Sequence, residues 1–96
     1  MEPTVSNDPE ADRYEIKDGD QVLGIAAYQR RGDTLVMTHT EVDSSSEHSG
    51  LGGTLVKAAL DDIRSHGQKI VPLCPFVKGW IDRHPDYADL VVDSDG

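Results

Sequence analysis

The sequence predicts a chain of the α/β class, an α+β mixed sheet in the order β-β-β-α-β-α, and three observations carry that prediction. Between Arg13 and Val42, runs of alternating or β-branched residues are separated only by short glycine turns. One apolar stripe at helical spacing follows, from Gly52 to Ile63. Beyond it, Lys69–Leu73 reads as a further strand. The connection through the helix is long enough to set that strand parallel to the one before the helix.

Each element has its own signal. Met1–Asp12 is polar and acidic, with prolines at positions 3 and 9, and is expected to be a mobile tail; residues 13–96 are then a single domain. Tyr14 and Ile16 alternate with charged residues, which predicts the first strand. Asp18-Gly19-Asp20 turns into Gln21–Arg30, a more buried strand in which Gly24 suggests a bulge. Arg31-Gly32-Asp33 turns again, and Thr34–Val42 is a third strand rich in β-branched residues. Two short turns make these three an antiparallel meander.

A polar loop leads to the helix, where Gly52, Leu55, Val56, Ala59, Leu60 and Ile63 share one face. Lys57 and Asp61 form an i,i+4 pair off that face, and Gly67 suits the C-terminal cap. Pro72 places the fourth strand at an edge, an end or a bulge. Pro75 opens a short helix to Arg83. His84-Pro85-Asp86-Tyr87 breaks it, with His84 expected to stack within that turn. A short apolar run, Leu90-Val91-Val92, follows.

Composition excludes some functions. The chain has 96 residues and a formal net charge of −9. That charge argues against nucleic-acid binding, which needs a cationic face. It suits a cationic amine, and it leaves room for an anion held by backbone N–H groups. No apolar run approaches the ~20 residues of a membrane helix. No basic-then-apolar leader opens the chain, so a cytoplasmic location is the expectation. The lone Cys74 has no partner for an internal disulfide or a metal cluster.

Gly50, Gly52 and Gly53 sit in the last loop residue and first turn of the main helix. Glycine inside a helix costs roughly 1 kcal/mol against alanine, so three of them need a reason. One reason is close approach of an anion such as pyrophosphate to free N–H groups, helped by the helix dipole. A flexible connection is the other. The motif is not a P-loop, because no Gly-Lys-Ser/Thr follows, and it lacks the βαβ setting of a dinucleotide fingerprint.

Glu47-His48-Ser49-Gly50-Leu51-Gly52 resembles the Q/R-x-x-G-x-G/A signature of the GNAT superfamily of N-acetyltransferases. His39-Thr40-Glu41-Val42 before it, Leu73-Cys74-Pro75-Phe76-Val77 after it and His84-Pro85-Asp86-Tyr87 near the end are similar to the very small GNAT-like proteins with a central cysteine. The resemblance spans roughly Arg13 to Val92. It implies a compact GNAT-like fold and acetyl-CoA as cosubstrate, without a metal. Its pyrophosphate would lie on Ser49, Gly50, Leu51, Gly52, Gly53 and Thr54. Glu47 replaces the usual Gln/Arg, which moves the binding onto backbone amides. Glu41 and Val42 would hydrogen-bond the pantetheine arm, and Cys74 and Val77 would lie by the thioester.

Three candidate catalytic residues follow. Cys74 precedes a helix, where the dipole favours the thiolate, so it is either an acyl-accepting nucleophile or a packed small hydrophobe. His39 and Glu41 share one strand face with Leu35 and Met37, and as a pair they are candidates for the base that deprotonates an ammonium. Trp80 stands where larger GNAT enzymes carry a proton-donating tyrosine and is read as a core anchor. The expected function is acetyl transfer to a primary amine of a small molecule or a protein lysine; a non-catalytic acyl-CoA-binding module is the alternative. The short first turn leaves the amine side open, so a monomer or weak homodimer is expected, with no nucleic-acid or membrane partner.

Overall fold

The computed structural model describes residues 3–42 and 50–92. Five strands form one sheet in sequence order: β1 (Thr4–Asp8), β2 (Arg13–Asp18), β3 (Gln21–Arg31), β4 (Thr34–Val42) and β5 (Lys69–Pro72). Helix α1 (Leu51–Ser65) connects β4 to β5, which pair in parallel; the other pairs are antiparallel. Helix α2 (Pro75–Arg83) and a 3₁₀ segment, Pro85–Leu90, follow. The mixed sheet with helices is the architecture expected, with one strand more. No helix among the described residues is long and apolar enough to cross a membrane.

The added strand corrects the expectation of a tail. Thr4–Asp8 pairs with β2 through the register Val5↔Ile16 and Asn7↔Tyr14. Val5 packs against the core, and the Asn7 side chain receives the Tyr28 hydroxyl at 2.6 Å. An edge strand facing solvent needs little apolar content, so its composition matches that of a tail. The first two strands are therefore joined by Pro9–Asp12, closed by the Ala11 N–H on the Asp8 carbonyl at 3.1 Å, and not by Asp18-Gly19-Asp20.

Both helices pack on one face of the sheet. From the strands come Tyr14, Ile16, Ala26, Tyr28, Leu35, Met37 and Ile70; from α1, Leu55, Val56, Ala59, Leu60 and Ile63; from α2, Val77, Trp80 and Ile81. The predicted α1 stripe is the buried one. Gly67 adopts the left-handed conformation (φ 69°) just past α1, as its capping role requires. The Tyr14 hydroxyl reaches Asp62 of α1 at 2.8 Å and ties sheet to helix. Among the described residues no helix covers the other face, where Glu15 is clamped between Arg13 and Lys17 at 2.7 and 3.3 Å.

Two bulges shape the sheet. The first makes Leu23 the extra residue beside Gly24, since Ile16 faces Gly24 and Lys17 faces Val22. A Cβ on Gly24 would lie 2.9 Å from the Glu41 carbonyl oxygen, so this approach of β3 to β4 requires glycine. The second makes Thr38 the extra residue of β4, opposite the Ala27–Tyr28 step. Pro72 lies at the end of β5, the edge strand, as its missing N–H dictates.

The Asn7–Tyr28 bond gives the first prediction. Asn7→Ala should lower unfolding free energy in urea by about 1 kcal/mol, the net worth of one hydrogen bond. An unchanged midpoint would mean that β1 adds nothing to the fold.

Candidate functional site

The Thr38 bulge inverts the alternation of β4. Leu35 and Met37 point into the core, but after the extra residue it is Thr40 and Val42 that face the helices. His39 and Glu41 therefore lie on the open face, not with Leu35 and Met37 as strict alternation predicts. Both are largely exposed, with His39 Nε2 3.5 Å from Glu41 Oε1. Glu41 also lines a broad depression on that face with Arg13, Leu23, Gly24 and Ile25.

Strands β4 and β5 part at the same place. Their pairing ends at Met37↔Pro72, and the Cys74 N–H closes on the Met37 carbonyl at 2.9 Å. Beyond that point the outer edge of β4 has no strand neighbour among the described residues. The Thr40 N–H is directed to the Cys74 side, so alternation puts the Val42 N–H and carbonyl on the same free edge. Glu41, expected to bind the same ligand as Val42, instead pairs with Ile25 of β3, and its side chain is on the open face.

Helix α1 starts beside this edge. Gly50 caps it with φ 71°, a left-handed conformation that favours glycine. The first helical bonds run from the Thr54 N–H and hydroxyl to the Gly50 carbonyl, at 3.1 and 3.2 Å. Thr54 is thus occupied, and the amides left for a ligand are those of Leu51, Gly52 and Gly53. Leu51 contributes only its amide, because its side chain is in the core. No acidic residue stands in the first turn to repel an anion. Ser49, Glu47 and His48 lie outside the described residues.

Gly52 of the first turn also has a packing reason. A Cβ there would sit 2.5 Å from Phe76 Cζ, whereas one on Gly53 would meet Trp80 Nε1 at 3.4 Å, an ordinary contact. Phe76 and Trp80 are one turn apart on α2, so both aromatics rest on the start of α1. Thr40, Val42, Gly50, Gly52, Gly53 and Phe76 together line a cleft of about 330 Å³. Sequence reasoning named Val77 for this site and missed Phe76. Val77 is wholly buried, whereas Phe76 is 42% exposed over the cleft. The signal for Phe76 was available: an aromatic four residues before Trp80 in a helix that must cross a glycine turn.

Cys74 is the N-terminal cap residue of α2, with its Sγ 3.4 Å from Thr40 Oγ1. It is 5% exposed and stands behind Thr40, which lines the cleft. Burial pushes its thiol pKa up. The Thr40 hydroxyl and the N–H groups of Val77, Phe76 and Thr40 outweigh burial and hold it below the ordinary value. The Phe76 and Val77 amides face the sulfur without closing a full capping bond, and a thiolate would draw them in. His84 is structural, as expected: it stacks on Trp80 at 3.9 Å and bonds the Trp80 carbonyl through Nδ1 at 2.8 Å.

Two predictions test this geometry. Gly52→Ala should destabilise the fold by about 1–3 kcal/mol through overpacking, and Phe76→Ala in the same chain should recover much of it in thermal melts. Alkylation of Cys74 by iodoacetamide, followed by intact mass against pH, should have a midpoint below the usual thiol value of 9.0. Only the thiolate reacts, so Thr40→Val should move that midpoint upward; an unmoved midpoint removes Thr40 as the cause.

Comparison with known proteins finds matches both to a sequence family and to solved structures. Residues 13–90 match the family model described as GCN5-related N-acetyl-transferase. The NMR solution structure of a GCN5-like protein from Staphylococcus aureus superposes with a TM-score of 0.71 at 22% sequence identity, over 93% of this chain and 87% of that one. No curated protein matches.

Proposed function

The chain belongs to the GCN5-related N-acetyltransferase family, and on that premise we propose that it moves an acetyl group from acetyl-CoA to a primary amine. The observation that carries the reading is the cleft itself. Among the described residues, three unpaired first-turn amides lie beside an unpaired strand edge, which suits a ligand with a pyrophosphate at one end and an extended amide-bearing arm at the other. The pyrophosphate rests on Leu51, Gly52 and Gly53. The pantetheine arm runs along the Thr40–Val42 edge, and the thioester comes to the fork between β4 and β5, beside Thr40 and Cys74.

The amine enters from the open face. There the Glu41 carboxylate meets it, and His39 with Glu41 takes a proton from the ammonium. The free amine attacks the acetyl carbonyl carbon through the fork, the C–S bond breaks as the N–C bond forms, and the proton then shed by the nitrogen goes to the departing CoA thiolate. Cofactor and acceptor thus occupy opposite faces, with β4 between them. Direct transfer is the route that the burial of Cys74 favours. The lowered thiol pKa favours a second route, in which Sγ takes the acetyl group first and passes it on.

Intact mass after incubation with acetyl-CoA, with and without an amine panel, separates the routes. Direct transfer predicts acetylated amine from both the native chain and Cys74→Ala, with no adduct on the protein. An adduct lost in Cys74→Ala establishes the relay. Changing both His39 and Glu41 to Gln should lower kcat/KM about 100-fold, as expected for loss of a general base. Binding of CoA with no transfer to any amine would overturn the enzymatic reading in favour of a binding module.

A further inference from the structure

Trp80 is the only tryptophan of the chain. It is 4% exposed, more than nine-tenths buried. Its ring is held flat against His84, with centroids 3.9 Å apart and planes 11° from parallel, while Tyr87 meets it edge-on at 5.0 Å. Tyr87 is anchored in turn by its hydroxyl on Asp61 at 2.7 Å. These contacts fix the plane of the indole and therefore the direction of its N–H.

An indole N–H is a donor only. Among the described residues this N–H makes no hydrogen bond, although the Trp80 carbonyl is bonded to His84 Nδ1. Nor is it sealed in. Asp18 Oδ1 is the sole wholly enclosed side-chain polar atom without a partner among the described residues, so the unbonded Nε1 is not wholly enclosed. An otherwise buried tryptophan normally satisfies its N–H. The edge that carries it, Nε1 and Cδ1, is turned to Gly53, at 3.4 and 3.8 Å from where a Cβ would be. Gly53 is the third residue of α1, and Cα–Cβ bonds of a helix tilt toward its N-terminus. The N–H thus comes out beside the free amides of Leu51, Gly52 and Gly53.

We propose that the Trp80 indole N–H is a fourth donor to the anion held on the first turn of α1, resting on the cofactor reading above. The three amides point along the helix axis and serve one side of a phosphate. Trp80 approaches from the flank, on α2, and serves an oxygen that the axial amides do not. A methyl on Gly53 would sit in ordinary contact with Nε1, at 3.4 Å, and so screen the N–H from a ligand. The side-chain donor of this site sits on the second helix. The loop before α1 carries the acceptor Glu47 where a donor is usual. Trp80 therefore acts here as a binding residue, not as a proton donor.

The test uses the single indole resonance of the full, ¹⁵N-labelled chain, titrated with CoA and separately with pantetheine, which has the thiol and arm but no pyrophosphate. The indole N–H peak should move downfield with CoA and stay in place with pantetheine. Trp80→Phe keeps the ring and loses the donor, so CoA affinity should fall about tenfold, the loss of one hydrogen bond to a charged group. A static indole peak at CoA saturation overturns the inference while leaving the cofactor reading intact, as does an equal shift with pantetheine or an unchanged affinity in Trp80→Phe. If no backbone resonance of the native chain responds to CoA, the cofactor reading fails and the inference with it. Should Trp80→Phe not fold, the native titration decides alone.

Discussion

One extra residue in β4 divides the molecule's structural half from its chemical half. Before Thr38, the strand is a core strand between β3 and β5, with Leu35 and Met37 in the apolar interior. After it, the pleat is reversed and the β5 partner is gone. Thr40 and Val42 then front the cleft, while His39 and Glu41 are left in solvent. The Thr38 hydroxyl reaches the Ala27 carbonyl at 3.4 Å across the irregular step. A strand with unbroken pairing would have no free edge to offer a ligand, and one without the bulge would have put the histidine and glutamate into the core.

The second constraint is the contact of α2 with the first turn of α1. In isolation a glycine turn at a helix start suggests an anion site. In the folded chain the same glycines also let Phe76 and Trp80 lie on the helix start, which holds the two helices together and walls the cleft. The two roles support each other. Aromatics that need glycine beneath them keep the first-turn amides uncovered by side chains. The stack of Trp80 on His84, the Tyr87–Asp61 bond and the Arg64–Asp89 ion pair at 2.9 Å then fix α2 and the 3₁₀ segment against α1. The residues that looked like a separate motif, His84 to Tyr87, are the buttress of that contact.

Much of the fold was legible because its signals are local. The β4 boundaries, the α1 stripe and the span of α2 follow from periodicity, turn glycines and Pro75, each acting within a few residues. Strand β1 was not legible, since Thr4–Asp8 is polar and acquires its structure from pairing with β2 and from the Tyr28 hydroxyl. Of the residues that line the cleft, Gly50, Gly52, Gly53 and Val42 had been named, the glycines from their pattern and Val42 from the family resemblance. Phe76 was not named, and Val77 and Glu41 were placed on the wrong side, because neighbours in sequence point to opposite faces and the facing depends on what packs where.

By itself the sequence determined the order of elements from β2 to α2 and the capping conformation at Gly67. It also determined the presence of an anion-compatible helix start, because glycine, proline and apolar spacing act on the chain locally. Only the tertiary structure decided which face His39, Thr40 and Glu41 present. The same holds for the position of Cys74 behind the cleft and for the turning of the Trp80 N–H toward α1. A bulge changes facing without changing residue type. The partner of a side chain on α2 is set by a helix more than twenty residues earlier, and no pattern within either segment records it.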